Sequence, residues 1–486
     1  VTHTTGQPTK AGPEDASNNW KGLSKGAIGL LGGLVIGVST IAPAYTLSGA
    51  LGPTASAVGE HLPAIVLVGF VPMLLVAIGY RKLNQAMPDS GTTFTWASRA
   101  FGPWVGWMAS WCLLAATILV LSNLAGIAVD FFYLAIAQLT GQEQIAELTR
   151  NVPINVLTCL VFMAVAAWIS HRGLEATKTF QYVLVTFQLV VLVWFSIAAF
   201  ARVGAGAAFD ATPVRWEWFN PFGVESFSAF SAGVALSVFI YWGWDVVVTM
   251  NEESRGTTTT PGKAAIATIL VVVALYTAVS VATLSYSGVS TGEFGLGNPG
   301  IQENVFAALA GPIMGPFAVL MSLAVLSSSA SSLQSTMISP ARTMLAMGHY
   351  GALSPKYAEV NPVYKTVPQQ CAGVTDAAPG TARVPNGVGC AGPPRSSSPR
   401  VGVRASCARS QPGWRIPSRP RAPGSAWTVR GPYPSLWWVR GGAVRRRIGC
   451  PWARRPIAML AASCRDVFLL AVVVGFCQCW APHLLV

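Results

Sequence analysis

Long apolar runs separated by short polar stretches dominate the first 370 residues of the chain. Charge-free gaps cover 26–59, 63–80, 100–129, 151–171, 179–201, 226–244, 264–292 and 304–341. Each is long enough for a bilayer-crossing helix, which needs about 20 apolar residues rising about 1.5 Å each. The pattern therefore predicts an all-α, multi-pass membrane protein. Eight spans are expected at about 26–50, 63–82, 103–130, 152–170, 179–201, 226–249, 264–286 and 312–339 within a core of residues 25–341. Polar residues 1–24 predict a disordered N-terminal segment with no leader pattern, and 342–368 a cytoplasmic helix and loop. A soluble protein with many buried helices is a poor fit, because only 10% of residues are charged, against about 25% in soluble domains.

Charge changes the picture in two ways. The net +13 is confined to the end of the chain: residues 1–370 sum to −1 and residues 371–486 to +14. The core thus gives no reason to expect a nucleic-acid partner. Lys and Arg resist translocation and mark the cytoplasmic side. With the N-terminus inside, inside segments hold thirteen of them, including Lys21, Arg81, Lys82, Arg99, Arg255 and Arg342, and outside segments hold only Arg150, Arg202 and Arg215. A cytoplasmic N-terminus is expected. Cys112 and Cys159, the two cysteines before residue 370, lie in apolar runs and suggest neither disulfides nor a metal site.

Two runs are irregular. The first, GAIGLLGGLVIGVSTIAPAYTLSGAL at 26–51, carries six glycines and, mid-run, Pro43, which cannot continue a helix without loss of a hydrogen bond. It is either a kinked helix with glycines for close packing or a discontinuous helix whose bared peptide groups meet a ligand. The sixth run places Gly243 between Trp242 and Trp244, with Asp245 next and Phe239 and Tyr241 just before. An acid at that depth is expensive unless hydrated, paired or protonated; the alternative puts Asp245 at the cytoplasmic boundary in an aromatic belt. Breaks five spans apart permit, without proving, a five-plus-five inverted repeat. The eighth run holds Ser327, Ser328, Ser329, Ser331, Ser332 and Ser335, whose hydroxyls serve either helix packing or coupling to a proton or small cation.

These segments resemble bacterial permeases of the amino acid, polyamine and organocation superfamily. The resemblance rests on GVSTIAPAY at 37–45, PDSGTTFTWASRAFGPWVGWMASW at 88–111, FIYWGWDVVVTMNEESR at 239–255, and RTMLAMGHYGALSP with NPVYKTVP at 342–355 and 361–368. It covers about residues 20–370. It implies a secondary transporter with the leucine-transporter-like inverted-repeat fold, moving an amino acid across a bacterial cytoplasmic membrane by alternating access. A polyamine or other organic-cation carrier or antiporter is the alternative. The resemblance places substrate against Gly37, Ser39, Thr40 and Ala42 of the first span and Phe239, Tyr241, Trp242 and Gly243 of the sixth. It leaves H+ or Na+ coupling to residues such as Ser327, Ser328 and Asp245. Some relatives carry a Lys in the fifth span; here 179–201 has none, and Gln188 is its most notable polar residue. No cofactor is implied, and the assembly expected is a monomer or weak homo-oligomer.

Other classes fit poorly. There is no phosphate-binding loop for ATP, no acid–base pair or histidine cluster inside the spans for a membrane enzyme, and no repeated filter motif for a channel. The last part of the chain departs from the family pattern. Residues 371–486 hold 14 Pro, 16 Arg, seven Cys and no Lys, the composition of GC-rich DNA read out of frame. This tail (369–486 in domain terms) is expected to be mostly irregular, with one weak apolar segment at 467–480. A basic lipid-binding tail is the alternative. Translated as it stands, it leaves the second repeat incomplete and implies an inactive, truncated permease.

Overall fold

The computed structural model describes residues 21–171 and 174–360, with the side chains of 174–178 and 355 excluded. The expectations for 1–20, for 361–368 and for the tail lie outside the described residues. All described residues belong to one compact unit.

The unit is helical. In chain order the helices are α1 Leu30–Ile41, α2 Pro43–Val58, α3 Leu62–Ala86, α4 Thr93–Phe101, α5 Pro103–Thr140, α6 Val152–His171, α7 Leu174–Gly204, α8 Phe227–Ile240, α9 Val246–Thr249, α10 Thr260–Ser287, α11 Val305–Met314, α12 Ala318–Thr336 and α13 Ile338–His349. Six continuous helical stretches among the described residues are long and apolar enough to cross a membrane; the first, Leu30–Ala86, contains α1, α2 and α3. Large apolar side chains point outward from several of these helices, including Val71, Leu75, Trp104, Leu157, Trp168 and Ile197. Apolar surface spread this widely suits a lipid solvent rather than water.

Local chemistry explains the interruptions. Pro43 has no N–H and cannot extend α1, so the chain turns at Ala42, which adopts the left-handed region (φ 55°, ψ 67°), and restarts with Pro43 in the first position of α2. A non-glycine residue in that region is strained by about 1–3 kcal/mol and persists only where its surroundings impose it. α8 starts on Ser226, whose hydroxyl accepts from Ala229 N–H at 3.1 Å. It ends at Ile240, the chain turns through Tyr241–Asp245, and helix resumes only for the short α9. Boundaries elsewhere differ from the sequence reading. α5 continues to Thr140, well past 130. The run expected at 312–339 divides at Gly315 (φ 59°) and Pro316, so Pro312 belongs to α11 and the long helix begins at Ala318.

The two broken stretches lie inside the bundle. α1 packs on α10 and α12, α8 on α2 and α3, and α12 joins α5 to α7. Side chains from most of these helices, among them Leu47, Phe195, Tyr241, Tyr276 and Phe306, share one buried core.

Candidate functional site

The two breaks meet at Gly243. Its φ is +124°, and a Cβ there would stand 2.9 Å from the carbonyl carbon of Thr40 and 3.0 Å from Ile41 N. Glycine is required both by the dihedral and by this approach. The peptide 40–41 at the end of α1 is thereby packed on the turn that ends α8.

Few carbonyls at the first break stay bare. Thr40 O accepts from Ser332 Oγ at 2.9 Å and Ile41 O from Thr46 Oγ1 at 2.6 Å, while Tyr45 N–H donates to Ser328 Oγ at 3.3 Å. The hydroxyls of Ser39 and Thr40 turn sideways into the bundle. Ser39 Oγ donates to Gln181 Oε1 and lies 3.3 Å from Ser335 Oγ; Thr40 Oγ1 is 2.8 Å from Ile36 O and 3.0 Å from Ser335 Oγ. Gln181 Nε2 then donates to Ser331 O at 2.9 Å and to Gln334 Oε1. An uncharged network of hydroxyls and amides thus ties α1 to α7 and α12. Gly37 packs against Thr268 of α10 and Val247 of α9, where no side chain would fit.

On the other side of the contact, Phe239 is half exposed and Trp242 partly buried. Tyr241 is fully buried; its hydroxyl donates to Val66 O at 3.0 Å, and its ring lies beside those of Phe70 and Tyr276. Asp245 Oδ1 is buried and meets no donor among the described residues, and the buried Trp244 Nε1–H meets no acceptor among them. Tyr80 packs edge-on against Trp244 at 5.2 Å. Of the serines named for coupling, Ser328 reaches the break through Tyr45, whereas Ser327 bonds within its own helix to Ala324 O at 2.9 Å.

Two residues central to this geometry escape a sequence reading, Gln181 and Asn123, which accepts from Tyr45 Oη; Ser332 and Ser335, expected only as members of the serine run, lie at the first break. Gln188 attracted notice instead. It lies seven residues beyond Gln181, on the same face of α7, with both side-chain polar atoms buried and unbonded among the described residues.

A second cluster closes the end of the bundle that carries residue 21. Lys21 Nζ, completely buried, contacts Asp89 Oδ2 at 2.8 Å, Glu252 Oε1 at 2.7 Å and Ser90 Oγ at 3.1 Å. Tyr350 Oη donates to Asp89 Oδ2 at 2.8 Å. Arg342 forks onto Glu253 with two bonds of 3.0 Å, the bidentate geometry that guanidinium favours. The segment before α1 is pinned alongside: Ile28 N–H donates to Glu253 O at 3.1 Å and Arg255 N–H to Ile28 O at 2.7 Å. Burial works against the charge of Asp89, but Lys21, Thr95 and the Gly91 amide together hold its carboxyl below the usual value. For Glu253 burial prevails over Arg342 and raises the carboxyl. Among the described residues no group of His, Cys, Asp and Glu has the arrangement of a metal site.

Comparison with known proteins follows the same stretch of chain. The amino acid permease family model matches residues 25–369 and stops where the composition of the chain changes. The branched-chain amino acid permease BcaP of Lactococcus lactis is 24% identical over 267 residues, 51% of this chain and 53% of that protein. The methylthioribose transporter of Bacillus subtilis is 25% identical over 364 residues, covering 71% and 70%. The low-affinity putrescine importer PlaP of Escherichia coli is 22% identical over 229 residues, covering 46% and 45%. The match therefore spans about half the length of BcaP and of PlaP. Among solved structures, MhsT in complex with L-phenylalanine aligns with a TM-score of 0.48 at 16% identity, over 73% of this chain and 79% of that one. With a family match over well more than half of its length, carried by a bundle of apolar helices, this chain belongs to the amino acid permease family.

Proposed function

We propose that the protein moves an amino acid across the cytoplasmic membrane by alternating access, with its N-terminus inside and its substrate held where the two helix breaks meet. The observation that carries this reading is the contact of Gly243 with the Thr40–Ile41 peptide. It brings the start of α2, a half-helix N-terminus whose amides and dipole favour a carboxylate, next to the turn Tyr241–Asp245. In this reading Gly37, Ser39, Thr40 and Ala42 shape the carboxylate side, and Phe239, Tyr241, Trp242 and Gly243 shape the side that receives the amine and closes over it. The fold is a five-plus-five inverted repeat, and a proton or sodium gradient, acting through Asp245, Ser327 or Ser328, drives the cycle. A relative that is a branched-chain amino acid permease supports a neutral, apolar substrate.

A second reading, an amine carrier, is favoured by Asp245 Oδ1, a buried acceptor with no donor among the described residues; one relative is a putrescine importer. Equilibrium binding of labelled leucine and of labelled putrescine to the purified full chain separates the two. Thr40→Ala and Trp242→Ala should each weaken leucine binding by about tenfold, the loss of about 1.4 kcal/mol in a well-made contact, with insertion intact. Undiminished binding in both variants overturns the pocket, and preference for putrescine transfers the case to the amine carrier.

A further inference from the structure

The uncharged network beside the first break contains one residue on which the others converge. Gln181 is fully buried on α7. Its Oε1 accepts from Ser39 Oγ, and its Nε2 donates to Ser331 O and to Gln334 Oε1. Gln334 in turn is linked to Ser170 of α6 at 3.2 Å. Ser39 and Thr40 also touch Ser335, and Thr40 O is held by Ser332. Four separate helices, α1, α6, α7 and α12, are thus joined through one side-chain amide. Among the described residues the seam holds the carbonyls of Ser331 and Thr40, the Gln334 amide, and the hydroxyls of Ser39, Ser332 and Ser335. An oxygen-rich, dry seam of this kind needs a donor at its centre, since facing acceptors in a low-dielectric interior repel and go unsatisfied. A bound cation is one solution and a protonated acid another. Here the NH2 group of Gln181 supplies the donor with no charge.

We propose that Gln181 is a positioning residue for the substrate site: as a neutral group that both donates and accepts, it locks the Ser39–Thr40 end of α1 against α12 and so holds the shape of the break. The proposal rests on the transport reading above and adds to it a residue that shapes the site from behind α1. The distinction lies in the chemistry of the amide. An ionised carboxylate in its place would keep the acceptor for Ser39 but lose both donations, and would face Ser331 O and Gln334 Oε1 with a negative charge. A protonated carboxyl would restore one donation. A small cation beside the carboxylate would restore the seam in another way.

The test is equilibrium binding of labelled leucine, and of labelled putrescine for the amine reading, to the full chain in detergent. Wild type and Gln181→Glu are compared between about pH 8 and pH 5, with choline as the background cation. Gln181→Glu should bind about tenfold more weakly than wild type near pH 8 under the same conditions, the effect of leaving buried acceptors without donors. It should recover most of that loss near pH 5, or on addition of sodium at pH 8. A merely structural role would not produce such a profile. Gln181→Glu matching wild type at both pH values overturns the proposal; so does an equally weak Gln181→Glu at both that still melts cooperatively and gains nothing from sodium. Should Gln181→Glu not fold, Ser39→Ala, which removes the hydroxyl that donates to Gln181, carries the test: weakened binding of the substrate with an unchanged melting profile supports positioning, and wild-type binding refutes it. A wild-type chain that binds neither leucine nor putrescine fails the transport reading itself, and the positioning role falls with it.

Discussion

Two clusters hold the beginning of the chain in place, and they use opposite chemistry. At the end of the bundle that carries residue 21, five acidic and basic side chains and one tyrosine gather: Lys21, Asp89, Glu252 and Tyr350 in one group, with Glu253 and Arg342 as a closed pair beside them. Eighteen residues beyond Lys21, near the end of α1, Ser39 and Thr40 are held by hydroxyls and amides. Charge repays its desolvation only when every partner is present, and it does so here in loops where the backbone also supplies donors. Inside the spans, where stray charge is costliest, the same task of fixing a helix end passes to neutral groups, each worth less and each easier to rearrange. The strong cluster anchors, and the weak one suits a segment that opens and recloses more readily.

The comparison predicts unequal consequences. Breaking the closed pair should have the largest effect. Arg342→Ala leaves Glu253, with a side-chain exposure of 1%, buried and alone; loss of one partner from such a pair costs about 3–5 kcal/mol. The expected outcome is a thermal midpoint far below wild type, or no folded protein recovered in detergent. Replacement of both residues, Glu253→Gln with Arg342→Met, should recover much of the loss, because no unpaired charge remains. A double variant as unstable as the single one would mean that the pair does more than neutralise itself.

Lys21→Met should cost less, about 2–3 kcal/mol near neutral pH, because Asp89 keeps the donors of Thr95, Gly91 and Tyr350. Its signature lies in the acid limb of stability. Asp89 has a depressed carboxyl in the folded protein, so the stabilisation it contributes is present at neutral pH and is lost as pH falls below about 4, where the unfolded chain takes up the proton first. The raised carboxyl of Glu253 works the other way, favouring the folded state as acid is added. Lys21→Met removes the main cause of the Asp89 depression, so denaturation midpoints followed from pH 6 downward should fall less steeply than in wild type. Parallel acid limbs would show that Thr95, Gly91 and Tyr350 suffice to hold the carboxylate.

Both breaks were legible in the sequence because Pro43 and Gly243 act locally: one cannot extend a helix, and the other permits a dihedral that other residues rarely adopt. The tie between the breaks and the rest of the bundle was not legible, because it depends on which helix faces which. Gln181 and Gln188 lie on one face of α7 and look alike in the sequence; only packing against Ser39, Ser331 and Gln334 separates them. The serine run of α12 leaves both packing and ion coupling open, and its members divide, Ser332 and Ser335 to the first break, Ser328 to Tyr45, Ser327 to its own helix. The charged cluster stayed hidden for a related reason. Lys21 looked like one more cytoplasmic cation, and nothing near it in sequence hints at Asp89 or Glu252, 68 and 231 residues away.

Gly243→Ala tests the neutral region where its packing is tightest. The added methyl requires an unfavourable φ and a shift of the Thr40–Ile41 peptide, together about 1–3 kcal/mol. Because the strain falls on the contact between the breaks, leucine affinity should drop by more than the melting midpoint suggests. A variant that loses stability but binds normally would place the substrate elsewhere.

The smallest effect is expected for Ser332→Ala, and it bears most directly on the contrast between the clusters. Ser332 Oγ donates to Thr40 O at 2.9 Å and lies 3.3 Å from Thr336 Oγ1. Removal of the hydroxyl deprives one carbonyl of a donor, worth about 0.5–1.5 kcal/mol, and the neighbouring Ser335 remains to hold Thr40 Oγ1. The melting midpoint should move by no more than a few degrees, a fraction of the shift in Arg342→Ala, while hydrogen exchange at the amides of α1 near the break should quicken. A loss as large as that of Arg342→Ala would mean that the neutral seam is as rigid as the charged one, and that whatever moves during transport pivots somewhere other than Ala42.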